Sequence, residues 1–194
     1  MSLKEELDRM NRRRRVYAPS REGGTKSQKE LGAVVDLLES MERSGEAIYF
    51  DPVEAAQDPP DCTARGIRGE RVAIEVTEFV CKAAVEANEK ADRAAIARLE
   101  PGVMVHRVWQ RWDCLAHLER RLETKDGKTY VGGPFDRVAV LVHTDEPMLI
   151  RSQCEAWLSE HHFGPFKQIT EAYLLFSYES EIGYPYRTLL VHGA

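Results

Sequence analysis

The sequence predicts an α/β fold with a largely central sheet, and three observations carry that expectation. Helical and strand periodicities alternate along the chain. The stretch Arg137 to His143 (RVAVLVH) is nearly all apolar, as a strand buried on both faces requires. Arg71 to Phe79 (RVAIEVTEF) is β-branched and alternating, with Val72, Ile74, Val76 and Phe79 as its apolar members. At 194 residues the chain can bury about 70% of its unfolded surface, so it needs no disulfide or structural metal to hold a core.

Each element follows in order. Leu31, Val34, Val35, Leu38 and Met41 recur at three- and four-residue spacing, which predicts a helix from Ser27 to Arg43 with Ser27 as its cap and Glu30 as the third member of a capping box. Ser44-Gly45 ends it, and Ala47 to Phe50 reads as a short strand. A polar loop then reaches Asp58-Pro59-Pro60-Asp61 before the strand at Arg71. Val80 to Leu99, rich in Ala, Glu, Lys and Arg, predicts a second helix that Pro101-Gly102 stops. Val105, Val108, Trp109, Trp112, Leu115, Ala116 and Leu118 predict a third that extends to Leu122, after which Asp126-Gly127 either lies past a helix or turns a hairpin. Met148 to Glu160 reads as helix, and Ala172 to Ser177 and Arg187 to Val191 as the last strands.

Charge is unevenly placed. Residues 1–29 hold nine basic and four acidic side chains, a balance of +5, so the remaining 165 residues carry −10 of the total −5. Residues 1–26 therefore read as a basic arm and linker, and 27–194 as a single domain. Arg12, Arg13, Arg14 and Arg15 are suited to phosphate contacts with nucleic acid, although such an arm can equally stay solvated or dock on the acidic body of a neighbouring subunit. The four cysteines are 19, 33 and 40 residues apart, with no CxxC pair, and read as reduced thiols. The first residues lack the apolar stretch of a secretion signal, and no apolar run of about 18 residues occurs, which gives the expectation of a cytoplasmic protein. GxGxxG, GxxxxGK and GxSxG are absent, so dinucleotide, Walker-type and serine-hydrolase chemistry lose their usual support.

The chemistry-bearing stretch is Pro60-Asp61 followed, after thirteen residues, by Glu75-Val76-Thr77 on the Arg71 strand. Strand side chains alternate, so Glu75 and Thr77 share one face and Ile74 and Val76 the other. A strand-borne carboxylate beside a second one on a loop supplies hard oxygen ligands for Mg²⁺, which can polarise a phosphodiester and activate a water.

Helix, strand, Pro60-Asp61, Glu75-Val76-Thr77, helix and strand together resemble the αβββαβ core of the PD-(D/E)XK nuclease superfamily over residues 27–143. The resemblance implies a restriction-endonuclease-like mixed sheet flanked by helices, with a further helix and strands at the C-terminus. It also implies Mg²⁺ held by Asp61, Glu75 and the Val76 carbonyl with help from Glu30, and hydrolysis of nucleic acid, DNA first. Glu42, at the other end of the first helix, is the reserve for Glu30. The chain departs from the pattern at Thr77, where the motif carries lysine. Superfamily members move this lysine to other elements, and Lys82 is the nearest replacement with Lys125 second. Otherwise the fold is kept without the chemistry, as a module that binds nucleic acid or a protein partner. A homodimeric structural or regulatory protein joined through the Trp-bearing helix is a third reading.

Overall fold

The computed structural model describes residues 25–88, 90, 107–146 and 148–191. The arm with Arg12 to Arg15 and the second half of the helix expected over 80–99 lie outside the described residues. Helix α1 (Lys26–Ser44) leads into strands β1 (Tyr49–Glu54), β2 (Cys62–Gly66) and β3 (Arg71–Glu78). Residues 82–88 are helical, and α2 (Arg111–Asp126), β4 (Arg137–His143), α3 (Arg151–Leu158), β5 (Glu171–Leu175) and β6 (Tyr186–Val191) follow.

The six strands form one open sheet in the order of the chain. β1–β2 and β2–β3 are antiparallel, β3–β4 and β4–β5 parallel, and β5–β6 antiparallel, so the sheet is mixed and the protein is α/β. Parallel pairing demands long crossovers, and the helix-bearing segments 79–136 and 144–170 supply them. Side-chain alternation then divides the core into two layers. Val72, Ile74, Val76, Ala139, Leu141, Tyr173 and Leu175 face α1, where they meet Ala33, Val34, Leu37 and Met41. Val140, Val142, Ala172 and Leu174 face α2 and α3, with Leu118, Leu122 and Leu158 among their partners. Leu37 is 2% and Met41 1% exposed, and burying each such side chain contributes roughly 1.5–3 kcal/mol.

The helix ends differ from the expectation in instructive ways. Thr25, and not Ser27, caps α1: its hydroxyl accepts from Gln28 N at 3.2 Å, and the Gln28 side chain accepts from Thr25 N at 2.9 Å. Glu30 therefore has no part in the cap and pairs with Lys26, one turn back on the helix, at 3.2 Å. At the other end Gly45 adopts φ 74°, the left-handed conformation that lets its N–H reach Met41 O and Glu42 O. Helix α2 starts at Arg111, since Trp109 is held in an extended segment, 2% exposed, stacked on Phe79 with ring centroids 4.5 Å apart. It runs through Asp126, which removes the hairpin alternative. The described thiols are free, with Cys62, Cys114 and Cys154 buried. Among the described residues no helix is long and apolar enough to cross a membrane.

Candidate metal and phosphate site

The antiparallel register that pairs Cys62 with Ile74 sets Asp61, one residue back, beside Glu75, one residue on. β3 presents Glu75 on the α2 face between the flanking layers, with its side chain 0% exposed. Asp61 points into the same space, where its Oδ2 accepts the Val76 N–H at 2.8 Å, so the carboxylate is fixed by the backbone of the strand that carries its partner. Asp58, across the two prolines from Asp61, completes a group in which three carboxylate oxygens lie within 4.8 Å of one another. Pro59 stiffens this approach, and its carbonyl accepts from Val131 N at 2.9 Å, tying the loop after α2 over the site.

Three lysines answer these acids. Lys125, in the last turn of α2, is 13% exposed; its Nζ donates to Glu75 Oε2 and, at 3.0 Å, to Val76 O, and stands 3.7 Å from Asp61 Oδ2. Lys128 donates to the same Glu75 oxygen at 2.7 Å. Burial alone would lower the Lys128 pKa, but the hydrogen bond to Glu75 and the charges of Glu75 and Asp61 outweigh it and raise the value. Lys26 sits on the rim, 3.2 Å from Glu30, 3.7 Å from Asp61 and 3.9 Å from Asp58. Four carboxylates therefore face three ammonium groups, and the cluster keeps a negative balance. Within it Glu75 Oε1 is buried and, among the described residues, has no hydrogen-bond partner, an expensive arrangement for a carboxylate oxygen in a site built only for stability.

The surroundings register this charge. Burial, and then the charge of Asp61, raises the Glu30 pKa. The Cys62 thiol is pushed up to about 12 by burial and by the carboxylates of Asp61 and Glu30. Burial raises the Tyr130 phenol as well, with Glu75 adding to it, and its protonated hydroxyl donates to Lys125 O at 3.0 Å, anchoring the turn that bears the lysine. Asp126 anchors the same turn from outside by accepting the N–H groups of Lys167, Gln168 and Ile169.

The sequence-derived residues distribute as follows. Asp61, Glu75 and the Val76 carbonyl converge. Glu30 reaches the rim through Lys26 and is not one of the three clustered carboxylates. Thr77 is half-buried, next but one to Glu75 along β3. Lys82 is exposed, and among the described residues the cations that touch Asp61 or Glu75 are Lys26, Lys125 and Lys128. Glu42 is exposed at the far end of α1. Sequence reasoning passed over Asp58, Lys26 and Lys128; the only local signal was Asp58 placed three residues before Asp61 in a proline-stiffened turn. Elsewhere Asp113 and His117 form an i,i+4 pair at 3.4 Å with Arg107 also on Asp113, an ordinary network of charged side chains.

Hard oxygens dominate the donor set, two buried carboxylates, one exposed carboxylate and a backbone carbonyl, and such a set with an unpartnered buried oxygen fits a Mg²⁺-sized cation. Compared with models of protein families, with curated proteins and with solved structures, the chain matches none.

Proposed function

We propose that the protein is a Mg²⁺-dependent nuclease of PD-(D/E)XK type, cleaving phosphodiesters of nucleic acid, DNA first, with its motif lysine supplied from α2 by Lys125. The observation that carries this reading is the Lys125 ammonium on Glu75 Oε2 and Val76 O, on the strand where Thr77 replaces the motif lysine. Support also comes from topology: α1, the antiparallel run β1–β2–β3, a helical crossover and the parallel strand β4 follow the αβββαβ order of that core.

Asp61, Glu75 and the Val76 carbonyl would hold the ion, with Asp58 adjoining. When bound, the ion supplies polarisation of the phosphodiester and acidification of a water. Lys125 and Lys128 bring positive charge to the developing phosphorane oxygens, a contribution of about 2.7–4 kcal/mol per well-aimed donor. Glu30, with its raised pKa and its bridge to Lys26, shapes the rim. The Thr77 hydroxyl can hydrogen-bond but brings no charge.

The test is cleavage of single- and double-stranded DNA and of RNA with and without Mg²⁺. Metal-dependent products that disappear in Glu75→Ala, and that fall about 10²–10³-fold in Lys125→Met while Thr77→Val retains most activity, are expected. Absence of metal-dependent cleavage, or Glu75→Ala cutting like wild type, defeats the reading. A second reading is favoured by the two lysines that share one Glu75 oxygen: a site whose charge is met internally can serve a nuclease-like module that binds nucleic acid without turnover. Salt-sensitive binding with no products would select it.

A further inference from the structure

Lys125 does more than stand near the carboxylates. Its Nζ lies against Glu75 Oε2 and Val76 O and 3.7 Å from Asp61 Oδ2, so one ammonium group meets all three oxygens assigned above to the ion. An ammonium and a hard divalent cation seek the same ligands, carboxylate and carbonyl oxygens, and they repel each other when both crowd one carboxylate. Lys128 sits on Glu75 Oε2 as well, while Glu75 Oε1, in a side chain that is 0% exposed, has no partner among the described residues. One oxygen of Glu75 is thus doubly occupied by cations and the other is left unused, which is an unbalanced arrangement for a static ion pair and a natural one for a carboxylate that exchanges cations.

We propose that Lys125 is an internal competitor for the metal: its ammonium holds the oxygens of Asp61, Glu75 and Val76 in place of a divalent ion, and ion binding displaces it toward the phosphate side of the site. This rests on the metal-dependent reading above and adds a regulatory consequence to it. The residue that assists the chemistry also weakens ion binding in the absence of substrate, so that ion and nucleic acid bind cooperatively: phosphate offers the displaced ammonium a new anionic partner. The anchored turn gives the movement a short reach, since Tyr130 and Asp126 fix the α2 backbone and leave the flexible lysine stem to swing.

The experiment uses the full chain and Mn²⁺ alone, with free Mn²⁺ counted by electron paramagnetic resonance and no nucleic acid present. Lys125→Met is expected to bind Mn²⁺ about ten- to a hundredfold more tightly than wild type, the range spanned by one charge-assisted hydrogen bond. An equal or weaker affinity in folded Lys125→Met overturns the proposal, and so does failure of both proteins to bind Mn²⁺. Should Lys125→Met not fold, the wild type decides: Mg²⁺ should accelerate reductive methylation of Lys125, read by mass spectrometry, with the exposed Lys82 as reference. Methylation of Lys125 that is unchanged or slowed by Mg²⁺ overturns it. The outcomes separate from those of the nuclease reading. Tighter Mn²⁺ binding in the variant with no cleavage by wild type keeps the competition and removes the nuclease, whereas cleavage by wild type with unchanged affinity in the variant does the reverse.

Discussion

Glu75→Ala, measured in EDTA, isolates what the charge cluster does for stability before any ion is involved. The side chain is 0% exposed and carries two ammonium partners, Lys125 at 13% and Lys128 at 30% exposure. Truncating it strands those charges. Lys128 can turn to water, so the stranded group is Lys125, which retains only Asp61 at 3.7 Å and the Val76 carbonyl. Breaking a buried pair by removing one partner costs about 3–5 kcal/mol, and the residual Asp61 contact points to the lower end, about 3 kcal/mol. At about 2–4 °C per kcal/mol for a chain of this size, the midpoint should fall by about 6–12 °C. Lys125→Met is the informative companion. It leaves Glu75 paired with Lys128 at 2.7 Å, so the expected destabilisation is only about 1–1.5 kcal/mol, the worth of an ordinary hydrogen bond. Thermal and urea unfolding followed by far-UV circular dichroism report both. Equal midpoints for the two variants, or a Glu75→Ala midpoint at or above wild type, would refute the claim that the carboxylate balances two half-buried cations.

Three further outcomes are expected. Asp61→Ala should destabilise by about 1–3 kcal/mol in urea unfolding, since it orphans the buried Val76 N–H, while Asp61→Asn keeps an acceptor and should cost less, and on the proposed reading both weaken ion binding. Asp126→Ala should lower stability at neutral pH. Burial raises the Asp126 pKa, but the N–H groups of Lys167, Gln168 and Ile169 outweigh it and leave the folded-state value depressed, so its contribution is present above the ordinary aspartate value, about 3.9, and lost as pH falls through the folded value. The gap between variant and wild type should therefore narrow below about pH 4 in a pH series of melts, and a gap independent of pH would count against the hydrogen bonds. Replacing Arg12, Arg13, Arg14 and Arg15 with Ala should flatten the salt dependence of duplex DNA binding by about 0.9 in the log–log slope for each phosphate that the arm no longer neutralises, as read by fluorescence anisotropy; an unchanged slope would leave the arm without a role.

Much of the fold was legible because its signals are local. The strand at Arg137–His143 coincides with the expected span, and β3 differs from it by one residue, since a buried strand writes itself as a run of β-branched and aliphatic side chains. β2 was not legible. CTARG has one β-branched residue, follows two prolines, and forms only because β3 and β1 pair with its two edges. The acidic half of the site could be read for the same reason as the strands, because Asp61 and Glu75 are marked by a proline and by alternation. The basic half was read only in part, with Lys125 standing second to Lys82 and with Lys26 and Lys128 passed over. Lys125 qualifies only if α2 continues through Asp126-Gly127, and the residues there suit a hairpin turn equally well. What decides in favour of the helix is contact across the chain: Asp126 receives three N–H groups from the loop before β5, and the Gln168 amide donates to Asp126 O at 2.6 Å and to Lys128 O at 2.8 Å.

That dependence changes how Thr77, in place of a lysine, should be viewed on the proposed reading. A lysine at position 77 would be set by the sheet, its backbone paired with Val142 of β4 and its range limited to the rotamers of one strand residue. A lysine from the end of α2 is set by hydrogen bonds between α2 and the loop at 167–169, contacts that involve neither Asp61 nor Glu75. The ammonium can then move by rotation of the lysine stem, from a helix end that Tyr130 and Asp126 anchor, while the Val76 N–H and the β2–β3 register hold Asp61 beside Glu75. The two halves of the site hang on different elements, Asp61 and Glu75 at the β2–β3 pair and Lys125 at the end of α2. Separation of this kind is what a competitor for the metal needs, because displacement of the ammonium leaves the oxygen ligands undisturbed. It also bears on the −10 balance of the body, since the acids of the site are offset by Lys125 and Lys128 from within and by Lys26 from the +5 segment, and on the proposed nuclease reading nucleic acid would have to be attracted by charge that these contacts release or by the arm.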